Sequence, residues 1–210
     1  MSRWAREIEN DLKWREAELA SLKHHAISTR TNPTAFKAAL RALWTMLYAH
    51  YEGFTKFCWE LALNEIERSK TKRIELIDTI ALASLEAFFA TVRRNTSSEN
   101  LWSCFLTQIS QHLSDEAVFP EKYRFSTDSN LWPHVFRRET EKLGILCPEV
   151  ERSDALLKAL VSRRNKIAHG ETMTIRNLKE YEPYEDAAIL VMHELAVALL
   201  DFLDGKRYIK

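Results

Sequence analysis

Glycine and proline are scarce in this chain, at 4 and 5 of 210 residues. Sandwiches and barrels need many tight turns, so this scarcity excludes them and favours long helices joined by few connections. Cysteine is scarcer still: Cys58, Cys104 and Cys147 are odd in number, widely spaced and without a C-x-x-C pair. Neither a disulfide framework nor a zinc knuckle fits that usage, and a reducing, cytoplasmic compartment is expected. Long apolar runs are missing as well. Trp4, Arg6, Glu7, Glu9 and Asp11 stand where a signal peptide would be apolar, and no window holds about 18 uncharged apolar residues, so neither a leader nor a membrane span is expected. Nor does one sign of charge dominate, since 30 basic residues balance 30 acidic ones. A chain without a net field does not hold a polyanion along its whole surface, so any nucleic-acid site must be local.

What remains is 46% hydrophobic residues in helical periods. The length suits one domain over 1–210, with 1–32 as an N-terminal helical extension and 33–210 as the core bundle. Trp4, Ile8, Leu12, Leu19 and Leu22 mark an amphipathic helix from about Arg3 to Ile27. Thr31-Asn32-Pro33-Thr34 breaks it and offers a cap and a proline for the next helix start. From Phe36 the series Leu40, Leu43, Leu47, Tyr51, Phe54, Cys58 and Leu61 steps by three or four, predicting a helix of about eight turns. Gly53 lies inside it at a cost of roughly 1 kcal/mol relative to Ala, which implies that another helix backbone approaches there. Further helices are expected over Ile74–Val92, Leu101–Leu113 and Leu131–Leu143, the last closed by Gly144. Ser114–Ser129 reads as the longest irregular connection. Ser153-Asp154 can cap a helix ending at His169, with Gly170 beyond it. After a linker containing Pro183, a final helix runs from about Tyr184 to Leu203. The fold class is all-α, an up-and-down helical bundle with additional N-terminal helices.

Chemistry concentrates in Arg163-Arg164-Asn165-Lys166-Ile167-Ala168-His169-Gly170. Arg164 follows Leu157 by about 700°, returning to the face of Leu157, Leu160 and Val161, so it aims at the edge of a packed seam. Asn165 and His169 are four apart and share a face. Imidazole can take a proton from a ribose 2′-hydroxyl and return one to a leaving 5′-oxygen, while a fixed guanidinium stabilises charge on the phosphate. Those are the demands of metal-free RNA cleavage. Asn165 can orient the imidazole or donate to a phosphate oxygen, and Arg163 and Lys166 can add positive contacts to RNA. Arg164 and His169 are about 140° apart on a straight helix, so two copies facing across a dyad would assemble a site better than one. A homodimer is expected, motivated also by the apolar wealth of Phe36–Ile66. The basic doublets at Lys72-Arg73, Arg93-Arg94 and Arg137-Arg138 are mostly solvated helix ends.

At these residues the chain resembles the HEPN superfamily, whose nuclease branches carry Arg, four to six residues, then His, often with a polar residue directly after the Arg. Arg164, Asn165 and His169 match that motif. Tyr48-Ala49-His50-Tyr51-Glu52-Gly53-Phe54, Thr127-Asp128-Ser129-Asn130-Leu131 and Lys142-Leu143-Gly144-Ile145 are similar to a bacterial toxin-type branch, over roughly 35 to 205. The resemblance implies an endoribonuclease that needs no metal or other cofactor, dimerises through its motif helices, and serves as a toxin in a toxin–antitoxin or phage-defence system. One position departs: relatives silenced by nucleotidylation carry Tyr two residues after the His, and here Glu171 stands there. A protein antitoxin that masks the cleft is therefore expected.

Other readings stay open. Arg164 as a pairing residue with Asn165 and His169 as helix-end residues would make a non-catalytic module that binds nucleotide, RNA or a partner protein. His193-Glu194 opens like a zinc-protease helix, but Val197 replaces the second His. His24, His25, His50, His112 and His134 read as surface or satisfied core residues. Trp44, Tyr51 and Trp59 read as packing, and Trp132 as the tryptophan nearest to RNA.

Overall fold

The computed structural model describes residues 2–172 and 175–210, Tyr123 by its backbone alone. In chain order the helices are α1 (Arg3–Ser28), α2 (Pro33–Arg68), α3 (Asp78–Ser84), α4 (Glu86–Arg94), α5 (Ser98–Ser103), α6 (Ile109–Ser114), α7 (Pro133–Glu141), α8 (Glu149–Arg152), α9 (Asp154–Ala168) and α10 (Leu178–Asp204). The fold is all-α, a bundle in which α2 packs against α1, α9 and α10. Among the described residues, extended pairing is confined to isolated bridges at Lys72–Glu116 and Leu76–Ile209. No helix among them is long and apolar enough to cross a membrane.

Helix α2 forms as its sequence implies. Asn32 Oδ1 accepts from the amides of Thr34 and Ala35, both at 3.1 Å, and Pro33 occupies the first turn, where its missing N–H costs nothing. The helix then runs unbroken for about ten turns. Leu40, Leu43, Leu47, Tyr51 and Phe54 are all fully buried within the single chain. Burying side chains of that size contributes on the order of 1.5–3 kcal/mol each. The apolar residues of Phe36–Ile66 are thus largely used inside one copy and supply no argument for a dimer. Ile8, Leu12, Leu19 and Ala26 of α1 join the same core.

Four local expectations are corrected. The stretch from Ile74 to Val92 is broken rather than one helix: a 3-10 turn at Arg73–Glu75 precedes extended backbone at Leu76 and Ile77. The C-terminal tail imposes this, because the Ile77 amide donates to the Tyr208 carbonyl at 2.9 Å and Leu76 bridges Ile209. The helical stretch beyond Leu101 contains a π-turn, Cys104–Gln108, between α5 and α6. Pro183 lies inside α10, which starts at Leu178 under an Asn177 cap. At the sixth helical position the proline forfeits a single backbone bond. Ser153 precedes α9 without a side-chain cap bond, since α8 delivers Glu149 to its Oγ at 3.2 Å. Gly144 does close the α7 region in left-handed conformation, at φ +72°.

Gly53 faces a side chain rather than a helix backbone. A Cβ there would stand 2.8 Å from Arg15 Nη1. Arg15 is buried, its Nε 2.6 Å from Asp11 Oδ2 and its guanidinium 4.5 Å from the Trp14 ring centroid. Gly53→Ala therefore combines a helix-propensity gain of about 1 kcal/mol with displacement of a held guanidinium. We expect it to destabilise the wild-type chain yet stabilise an Arg15→Ala background by about 1 kcal/mol. Urea unfolding of the four variants measures this coupling, and equal effects in both backgrounds would remove Arg15 from the notch.

Candidate active site

The motif occupies the last turns of α9, and α2 holds it through a second stripe beside the core stripe. Arg41, Trp44, Tyr48 and Glu52 recur at helical spacing and each meets α9 or the residues after it. Arg41 Nη1 donates to the Glu171 carbonyl at 2.9 Å. Trp44 Nε1 donates to the Leu160 carbonyl at 3.1 Å. Arg163 stacks near the Trp44 and Tyr184 rings, 5.0 and 5.1 Å from their centroids, and pairs with Glu180 at 3.1 Å.

Arg164 lies on the seam edge that its spacing from Leu157 implies. Its Cζ sits 3.7 Å from the Tyr48 ring centroid, a cation–π contact worth on the order of 1–2 kcal/mol in such a mostly buried setting. Glu52 approaches only to 3.8 Å, too far for a hydrogen bond, and itself pairs with Lys56 at 3.2 Å. Arg164 Nε is buried without a hydrogen-bond partner. The guanidinium is therefore held by a ring face while its Nε is unmatched within the chain. Tyr48 is fixed from the far side, its hydroxyl accepting from the Leu131 amide at 2.8 Å. Burial pushes the Tyr48 phenol up to about 12, so it stays neutral near neutral pH and serves as a platform rather than a base.

His169 is the C-terminal cap of α9 and is exposed. Its amide donates to the Asn165 carbonyl at 2.9 Å, the Gly170 amide to Ile167 at 3.1 Å and the Glu171 amide to Lys166 at 2.9 Å. These last two bonds form a Schellman motif, which requires the left-handed Gly170, at φ +77°. Asn165 thus supports His169 through its backbone carbonyl, and its side chain is not hydrogen-bonded to the imidazole. Lys166 is exposed beside them. Arg164 is turned into the α2–α9 seam while His169 opens to solvent at the helix end.

The Thr127–Leu131 loop adjoins Tyr48. Asp128 and Ser129 are consecutive left-handed residues, at φ 49° and 71°, and Arg138 holds Asp128 at 2.8 Å. Asn130 Oδ1 is buried without a partner. Trp132 is half-buried against the core at the entry to α7. Sequence reasoning assigned no role to Tyr48 or Glu52, although their four-residue spacing beside the core stripe was the available signal.

Other candidates fall elsewhere. His193 Nε2 contacts Glu16 at 2.5 Å, and Glu194 accepts from the Glu149 amide at 2.9 Å, so both serve packing between helices. His50 is buried with Nε2 2.9 Å from Glu18, and desolvation lowers its pKa. Among the described residues, no group of three or more His, Cys, Asp and Glu gathers as metal ligands.

Gly170→Ala meets no atom within 4 Å, so its cost is backbone strain alone. We expect a loss of roughly 1 kcal/mol in denaturant unfolding, at the lower end for a left-handed L-residue. A neutral substitution would mean that the Schellman turn is not maintained in solution.

Compared with known proteins, the chain matches the MAE_28990-like HEPN family over residues 4–208. No curated protein and no solved structure matches it. A match across nearly the whole chain, on an all-α bundle, decides the assignment: the protein belongs to the MAE_28990-like HEPN family, in a superfamily that includes nucleases.

Proposed function

We propose that the protein is a metal-independent endoribonuclease acting as the toxin of a toxin–antitoxin or phage-defence system in the cytoplasm. The observation that carries this reading is the Arg164 guanidinium, clamped on the Tyr48 face with an unpartnered Nε and its one neighbouring carboxylate, Glu52, beyond hydrogen-bond distance at 3.8 Å, five residues before an exposed His169. A structural arginine in such a seam would normally satisfy its donors internally. This one keeps capacity for a phosphate. In the proposed reaction His169 accepts the 2′-hydroxyl proton, the 2′-oxygen attacks the adjacent phosphorus, and Arg164 stabilises the charge that gathers on the phosphoryl oxygens. The P–O5′ bond breaks as the His169 imidazolium returns the proton to the departing 5′-oxygen, giving a 2′,3′-cyclic phosphate and a 5′-hydroxyl. Asn165 assists by holding the helix end or donating to phosphate. Lys166 attracts RNA, and Arg163, engaged with Glu180, adds to the local field.

Cleavage of total RNA by the purified protein in EDTA tests this. His169→Ala and Arg164→Ala should stay folded and lose at least about a hundredfold in rate, the scale of removing a general base or a charge-stabilising donor. Substrate with a single 2′-deoxy substitution at the cut site should remain intact. Full activity in either variant, or 5′-phosphate ends, would sink the mechanism. RNA binding without turnover would assign a non-catalytic module instead.

The offset of Arg164 from His169, about 140° around α9, supports a homodimer in which Arg164 of one copy works with His169 of the other. Equal mixing of the two inactive variants after brief unfolding should restore about a quarter of wild-type activity, because half the dimers are mixed and each has one intact site. A protein that sediments as a monomer at micromolar concentration, or a mixture that stays inactive, would rule out the shared site. With Glu171 in place of a modifiable tyrosine, the proposed restraint is a protein antitoxin covering this surface.

A further inference from the structure

The segment from α3 to α6 is built differently from the bundle. Helices α4, α5 and α6 bury none of their side chains, and of the π-turn only Cys104 is buried. Between α4, the end of the π-turn and α6 there is an open cavity of about 410 Å³. Its apolar lining comes from Leu85, Phe88, Val118 and Pro120, with the Phe88 ring 4.4 Å from that of His112. Its polar lining is Arg73, with Ser84, Gln108 and His112.

Arg73 is only 9% exposed. Its Nε donates to Ser84 Oγ and its Nη1 to the His112 carbonyl, both at 3.0 Å, so its partners are neutral. Among the described residues no carboxylate comes within salt-bridge distance of this guanidinium; Asp115 acts on it from beyond that distance and pairs with His112 Nδ1 at 3.8 Å. Desolvation lowers the Arg73 pKa, and the charge of Asp115 offsets this only in part. Confining a cation without a direct ion pair costs free energy, and hydrogen bonds to neutral groups with a more distant carboxylate offset only part of it. The π-turn adds a second sign, because such turns cost backbone regularity and cluster at functional sites. Here it lies between α5 and α6 and ends at Gln108, one turn before His112, so two cavity-lining side chains flank its exit.

We propose that this cavity binds a small organic anion, its carboxylate or phosphate head on Arg73 and its flat apolar body between Phe88 and Val118. A head of that charge supplies the direct counter-ion, and the body supplies apolar contacts that α4 and α6 lack. Binding therefore tightens the 86–114 segment onto the bundle, independently of chemistry at His169.

The test is titration calorimetry on the full-length protein with phenyl phosphate, benzoate and neutral benzyl alcohol, each at up to millimolar concentration. At least one anion should bind saturably and raise the melting temperature, with the better of the two identifying the head group, while benzyl alcohol should not bind. Arg73→Leu should weaken binding roughly tenfold or more, the worth of a charge-assisted hydrogen bond. Since that change could loosen the segment, Thr91→Trp, an exposed helix position on the cavity wall, is the second variant: it should abolish binding with the thermal transition retained. Binding that survives both variants, equal binding of the alcohol, or no saturable heat with either anion overturns the proposal.

Discussion

The arrangement of this protein depends on one long helix presenting two adjacent stripes. The core stripe of α2 fills the bundle with fully buried Leu40, Leu43, Leu47, Tyr51 and Phe54. Displaced by one residue at Tyr48, and lying beside it along the helix, the second stripe carries Arg41, Trp44, Tyr48 and Glu52 and meets α9. Because both stripes belong to the same rigid rod, packing of the core fixes the height of Tyr48 relative to Arg164. A slip of α9 by one turn would carry Arg164 about 5.4 Å past the ring. Core packing is thus also what aims the guanidinium.

Charge in this region is handled by geometry rather than by close ion pairing. Glu52 divides itself between Lys56, nearer, and Arg164, farther. That leaves Arg164 near an acid without a hydrogen bond to it, while the neutral Tyr48 ring supports the cation. Arg163, one residue earlier, shows the contrasting solution, closed off by Glu180 between two rings. Two neighbouring arginines on one helix therefore differ in how much of their donor capacity remains open.

Much of this was readable before any coordinates. The steps of three and four in α2 marked its buried face, Asn32-Pro33 its start, and Gly170 the end of α9. The seven-residue return from Leu157 to Arg164 placed that arginine at a seam. What escaped were effects carried by residues distant in sequence. The break at Leu76–Ile77 follows from pairing with Tyr208 and Ile209, which local periodicity does not encode. Gly53 was legible as a close approach, but the occupant, Arg15, comes from another helix. Tyr48 and Glu52 were visible as a four-residue pair, yet their partner depends on the register of α2 against α9.

The grip on Tyr48 has a consequence in time as well as in space. A half-turn of the ring about its own axis leaves the hydroxyl on the Leu131 amide, but it sweeps the ring edges toward the guanidinium lying 3.7 Å from the centroid. The ring can turn over only when Arg164 lifts away. Its flip rate is therefore set by excursions of the arginine, and averaging of the two edges of this single tyrosine serves as a clock for how often the cation leaves its seat.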